Sequence, residues 1–150
     1  MKKLIFSLFT GLLSFLFFIS NTDAHCEIPC GIYDDQLRTR LIAEHATTIE
    51  KSMKQIVELS KAKPINYNQL ARWVSNKETH ATKIQNIISQ YFLTQRIKPD
   101  QKKYAEKLGV LHQILIAAMK CKQTTDLSHV GALRAHLKNF EALYFGQSHN

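Results

Sequence analysis

The chain has 150 residues and a formal charge of +8, from 20 Lys and Arg against 12 Asp and Glu. That length leaves room for one domain with one core and too little for two. The positive charges are spread along the chain and not gathered into a stripe with interleaved aromatics, which argues against nucleic acid and suits a small anionic substrate.

The chain opens with Met1, Lys2 and Lys3, an apolar run over residues 4–19 and a polar tail that ends in Ala24. This is the three-part layout of a secretory signal peptide. The apolar run is short for a membrane span, which takes about 20 residues, and no stop-transfer pattern follows. Cleavage after Ala24 predicts an exported protein, periplasmic or secreted; the alternative is an uncleaved anchor. A lipoprotein would need a small residue directly before Cys26, where His25 stands. Removing the leader with Lys2, Lys3 and Asp23 takes the formal charge from +8 to +7.

Cleavage also makes His25 the amino terminus of a short hook, His25-Cys26-Glu27-Ile28-Pro29-Cys30-Gly31-Ile32-Tyr33. The hook then offers an amine, an imidazole and two thiols. Thiolates suit nickel, copper, zinc or an iron–sulfur cluster, so softness alone does not choose the metal. Position narrows the choice. The His25 amine, the Cys26 amide nitrogen and the two sulfurs close fused chelate rings in one plane, a tetragonal donor set that Ni(II) or Cu(II) accepts and tetrahedral zinc does not. The His25 imidazole is left as a fifth, axial donor. Pro29 and Gly31 bracket Cys30 with a rigid and a permissive residue, which fits a tight loop.

Three cysteines are an odd number for an exported chain. Cys26 pairs with Cys30 and leaves Cys121 as a small buried residue, or one of the two pairs with Cys121, or both hook thiols stay reduced on a metal.

After the hook the sequence turns helical. Leu37, Leu41, Ile49, Met53 and Ile56 recur at helical spacing from Asp34 to Lys61, with Asp34 or Asp35 placed to cap the start and Lys63-Pro64 to end it. A second helix runs from about Asn66 to Leu93, with Leu70, Trp73, Val74, Ala81, Ile84, Ile87, Ile88 and Tyr91 on its dry side. Asp100 is placed to cap a third, carrying Tyr104, Leu108, Leu111, Leu115 and Met119. Thr125 or Asp126 opens a fourth, where Leu127, Val130, Leu133, Leu137, Phe140 and Tyr144 repeat close to a heptad seam. No strand-like alternation of useful length appears. The prediction is all-α: an antiparallel four-helix bundle over residues 34–150, preceded by the hook over 25–33 and a leader over 1–24.

Other constellations are weaker. His45, His80, His112, His129 and His136 are scattered, and Glu78 with His80 lacks the H-E-x-x-H spacing of a zinc protease. No G-x-S-x-G, P-loop or dinucleotide fingerprint is present.

Residues 25–33 resemble the nickel hook of nickel-dependent superoxide dismutases, H-C-x-x-P-C-G-x-Y. The resemblance extends through residues 47–53, Arg72-Trp73-Val74, Asn76-Lys77-Glu78 and residues 90–96. It implies a four-helix bundle, commonly assembled as a hexamer, that disproportionates superoxide to dioxygen and hydrogen peroxide as nickel alternates between +2 and +3. It further implies nickel ligation by the amine and imidazole of His25, the amide and thiolate of Cys26 and the thiolate of Cys30. Tyr33 and Tyr91 are similar to the family tyrosines beside the open face of the metal, where they position small anions or water.

The leader departs from the short polar propeptide that a dedicated protease removes inside the cell in the family; a propeptide of that kind would place the protein in the cytoplasm. Glu27 reaches further than the Asp common at that position. Leu93 replaces a lysine that some members carry, which leaves Arg96 or Lys98 to guide the substrate. Glu44, Glu50, Glu78 and Arg72 are helical candidates to partner the His25 imidazole. A maturation protease and a nickel-loading factor are further partners that the resemblance implies. An exported helical metal carrier using the same hook without turnover is the alternative function.

Overall fold

The computed structural model describes residues 31–146, which form four helices and no strand. Helix α1 spans Asp35–Lys61, α2 Tyr67–Asn86, α3 Tyr104–Gln123 and α4 Ser128–Phe145. Helix α2 continues directly into a π-helical segment, Ile87–Arg96. Packing of α1 on α2, α2 on α3, α3 on α4 and α4 back on α1 closes the four around one core. Because sequence neighbours are also spatial neighbours and the connections are short, the bundle runs antiparallel, as the periodicity predicts. No helix among the described residues is long and apolar enough to cross a membrane.

The caps explain two of the four starts. Asp34 accepts from the Leu37 amide at 2.8 Å, and Asn66 from the Gln69 amide at 3.1 Å, each satisfying a donor that the first turn leaves open. The third start differs from expectation. Asp100 lies in a turn closed by the Gln101 amide on the Lys98 carbonyl, and α3 begins only after Lys103, whose φ of 58° is left-handed. At the fourth, Asp126 accepts from the Ser128 amide at 2.9 Å, while Leu127 occupies the cap position without a side-chain bond.

The buried rows are Ile42, Ala46, Ile49 and Met53 on α1; Ala81 and Ile84 on α2, continued by Ile88 and Phe92; Val110, Leu111, Ile114 and Ala118 on α3; and Val130, Leu133, Leu137 and Phe140 on α4. Leu37, Val74, Met119 and Leu127, expected inside, are exposed. They lie at the margins of their stripes, where spacing alone does not say how wide the covered face is.

The second helix also ends differently from expectation, at Arg96 and in a wider winding. The Ile97 amide reaches back five residues to the Phe92 carbonyl at 2.9 Å. The side chains of Thr94 and Gln95 likewise bond to carbonyls five residues earlier, at 2.7 and 2.9 Å. This i→i+5 pattern is rare in proteins and frequent at functional sites.

Candidate metal centre

The hook ligands His25, Cys26 and Cys30 lie outside the described residues. Of the predicted site residues, Tyr33 and Tyr91 are described, and the fold brings them together. Tyr33 stands two residues before α1, outside any helix, and its ring meets Tyr91 edge-on at 5.9 Å between centroids. Tyr91 is buried, whereas Tyr33 is 39% exposed.

The Tyr91 hydroxyl is held by a side chain that the sequence marks only as a candidate helix cap. Asp35, the first residue of α1, accepts four hydrogen bonds. Its Oδ1 takes the Tyr91 hydroxyl at 2.5 Å and Arg96 Nε at 2.9 Å; its Oδ2 takes the Tyr144 hydroxyl and Arg96 Nη2, each at 2.8 Å. Burial works to raise the Asp35 pKa, but the bonds from Arg96, Tyr91 and Tyr144 outweigh it and hold the carboxyl below its usual range. The same contacts act in reverse on the donors. Burial and the Asp35 carboxylate push Tyr91 and Tyr144 up to about 12, and Asp35 raises Arg96. At neutral pH the cluster is one carboxylate, one guanidinium and two neutral phenols.

The π winding is what makes this clasp possible. In an α-helix, residues five apart point about 140° away from each other. The wider i→i+5 winding narrows that angle, and Tyr91 and Arg96 reach the same carboxylate.

Two cations flank the rings. Arg96 Cζ lies 4.2 Å from the centre of the Tyr33 ring, and Arg38 Cζ lies 4.9 Å from that of Tyr91. Arg38 Nε is buried with no hydrogen-bond partner, the one such side-chain atom among the described residues. Behind the site the aromatic packing continues inward from Tyr91 through Phe92 to Phe140 and Tyr144, with centroids 4.9–5.1 Å apart at each step.

The family model of the nickel-containing superoxide dismutases matches residues 20–148. The chain belongs to that family. No curated protein and no solved structure matches it. As a nickel-containing superoxide dismutase it is an oxidoreductase, its cofactor is nickel and its activity is on superoxide. The four-helix bundle agrees with what the hook residues implied.

Other sequence candidates resolve differently in this dismutase. Cys121 is free and fully buried in the core, and burial pushes its thiol up to about 11, so it stays protonated. The pairing of a hook cysteine with Cys121 is therefore corrected: Cys121 is a small core residue. Glu50 is engaged by Lys54 at 2.6 Å and Arg134 at 2.8 Å, and Glu78 by Lys77 at 3.2 Å. Arg72 and Lys98 are exposed. Of the two expected guides, Arg96 is the one beside Tyr33.

His45 on α1 and His80 on α2 also meet, Nδ1 to Nδ1 at 3.1 Å. They stand apart from any third donor: no cluster of three or more His, Cys, Asp or Glu suited to a metal occurs among the described residues. Sequence reasoning missed Asp35, Arg38 and Tyr144 as site residues. The first two had one available signal, their place within eight residues of the second hook cysteine; Tyr144, at the far end of the chain, had none.

Proposed function

We propose that the dismutase centre is the hook, with nickel held by the amine and imidazole of His25, the amide nitrogen and thiolate of Cys26 and the thiolate of Cys30, after cleavage between Ala24 and His25. The donor chemistry fits the cofactor: thiolate and deprotonated amide are strong donors that favour a higher oxidation state of a tetragonal ion. Nickel so held supplies the one-electron cycling between +2 and +3 that turns two superoxide anions and two protons into dioxygen and hydrogen peroxide.

The single observation that carries this reading is the joining of Tyr33 and Tyr91 by the fold. Tyr33 follows Cys30 by three residues, a tether of at most about 11 Å between Cα atoms. A buried tyrosine from the π segment that continues α2 is brought against that residue, and both rings are flanked by guanidinium groups. Such a setting attracts a small anion and limits what else approaches. The Tyr33 hydroxyl has no partner among the described residues and is free to donate to the anion. Arg96 is held by Asp35 and so adds positive charge without becoming a mobile ligand.

An exported location follows from the leader in this reading, and assembly into hexamers from the family pattern. The experiment is native mass spectrometry of the purified mature protein together with a superoxide assay. A mature chain starting at His25, with one nickel per subunit and activity lost in Cys26→Ala, is expected. Full activity in Cys26→Ala, or activity independent of nickel, would sink the reading.

A further inference from the structure

We propose that Asp35 is a positioning residue that gives the two site tyrosines opposite hydrogen-bond roles, Tyr33 as donor and Tyr91 as acceptor only. The inference rests on the placement of the site at these tyrosines. A phenol carries one proton and two acceptor lone pairs. The Tyr91 proton is committed to Asp35 Oδ1 at 2.5 Å, the shortest of the four bonds to that carboxylate. The commitment is firm because Asp35 is ionised and charge-assisted bonds of this kind are roughly twice as strong as neutral ones. Rotating the hydroxyl away would leave a carboxylate oxygen with one donor fewer in a half-buried setting. What Tyr91 has left to offer is its lone pairs.

Lone pairs do not hold superoxide, which is an anion and accepts hydrogen bonds. They hold species that carry protons: water, or hydrogen peroxide as it forms. A water that donates one hydrogen to Tyr91 still has a second to direct at the substrate, so the acceptor tyrosine orients a proton-bearing neighbour and the donor tyrosine orients the anion. The groups facing this arrangement are Tyr33 from the segment before α1, Asp35 and Arg38 from the start of α1, Arg96 from the π segment and Tyr144 from α4. Both guanidinium groups contact rings through their faces, and Tyr144 donates to Asp35 as Tyr91 does. None of them competes for the Tyr91 proton.

The test uses azide as the anion probe on the nickel-loaded enzyme. Tyr33→Phe removes a donor and should weaken azide inhibition about tenfold, the size of one hydrogen bond to a charged group. Tyr91→Phe deletes the bond to Asp35 and takes from the anion's side only an acceptor, so it should leave azide inhibition equal or stronger. Asp35→Asn, which frees the Tyr91 proton, should strengthen it, and the gain should vanish in Asp35→Asn with Tyr91→Phe. A purely structural Asp35 would lower thermal stability without a gain that depends on the Tyr91 hydroxyl. A second readout is independent of turnover: ultraviolet titration should show phenol ionisation moving down from about 12 in Asp35→Asn. Weakened azide inhibition in Tyr91→Phe overturns the proposal even if Asp35→Asn does not fold. Azide inhibition unchanged in Tyr33→Phe overturns the placement of the site, and the proposal with it.

Discussion

Asp35 and Tyr91 are 56 positions apart in the chain and joined by a 2.5 Å hydrogen bond. The bond ties the first turn of α1, directly downstream of the hook, to the far end of the second helix. Removing the hydroxyl in Tyr91→Phe leaves the ring packing in place and deletes one bond to a carboxylate. The expected loss of folding stability is about 1.5–3 kcal/mol, measured by urea denaturation of the enzyme. A loss indistinguishable from zero would mean that the remaining three donors satisfy Asp35 alone.

Among the described residues Tyr33 makes no such bond, and its ring contacts are with Tyr91 and Arg96. Tyr33→Phe should therefore keep the fold and the nickel content while changing saturation at high superoxide. Metal analysis and pulse-radiolysis kinetics on the same preparation check this. Loss of nickel in the variant would assign the hydroxyl to holding the hook.

Ionic strength gives a separate check on the guanidinium groups. Attraction of superoxide by Arg38, Arg96 and the wider positive surface is screened within a Debye length of about 10 Å at 0.1 M salt. The second-order rate should fall as salt rises, and less steeply in Arg96→Gln. A rate flat in salt from 0.01 to 0.3 M would remove steering from the account.

The His45–His80 pair predicts how stability depends on pH. Burial lowers both pKa values; the charge of His80 and Lys83 lowers His45 further, Lys83 also lowers His80, and Glu44 opposes on both. The unfolded chain takes up protons near pH 6.5 that the folded pair resists. Stability is therefore full above that pH and declines as pH falls below it. Thermal melting from pH 7.5 to 5 should show the decline, and His80→Gln should flatten it. An unchanged slope in the variant would place the titration elsewhere.

Lys77 tests the core away from the site. It is buried, and its Nζ donates to the Cys121 carbonyl at 2.8 Å and also to those of Lys122 and Thr124, closing the end of α3. Lys77→Met keeps the stem and strands those carbonyls, at an expected cost of about 1–3 kcal/mol. Calorimetry of the variant checks the cost, and nickel content should not change.

Much of the bundle was legible in the chain. The three- and four-residue spacings mark which stretches are helical, and Asp34 and Asn66 mark where two of them begin. The margins of the buried faces were less legible. Leu37 and Leu127 fit the spacing yet stay outside, because a stripe's width depends on how closely the neighbouring helix approaches.

By itself the sequence determined the four helices and the family, and marked Tyr33 and Tyr91 as similar to a known pair. These are local matters: periodicity within one helix and residue types at fixed spacing. Only the tertiary structure decided that Asp35 gathers Tyr91, Arg96 and Tyr144. Its partners lie 56, 61 and 109 positions away, and two of them share its carboxylate because the second helix widens into a π turn between Tyr91 and Arg96. A winding that departs from 3.6 residues per turn leaves no signature in a pattern read at that period, so the residues it aligns emerge only when the helices are packed.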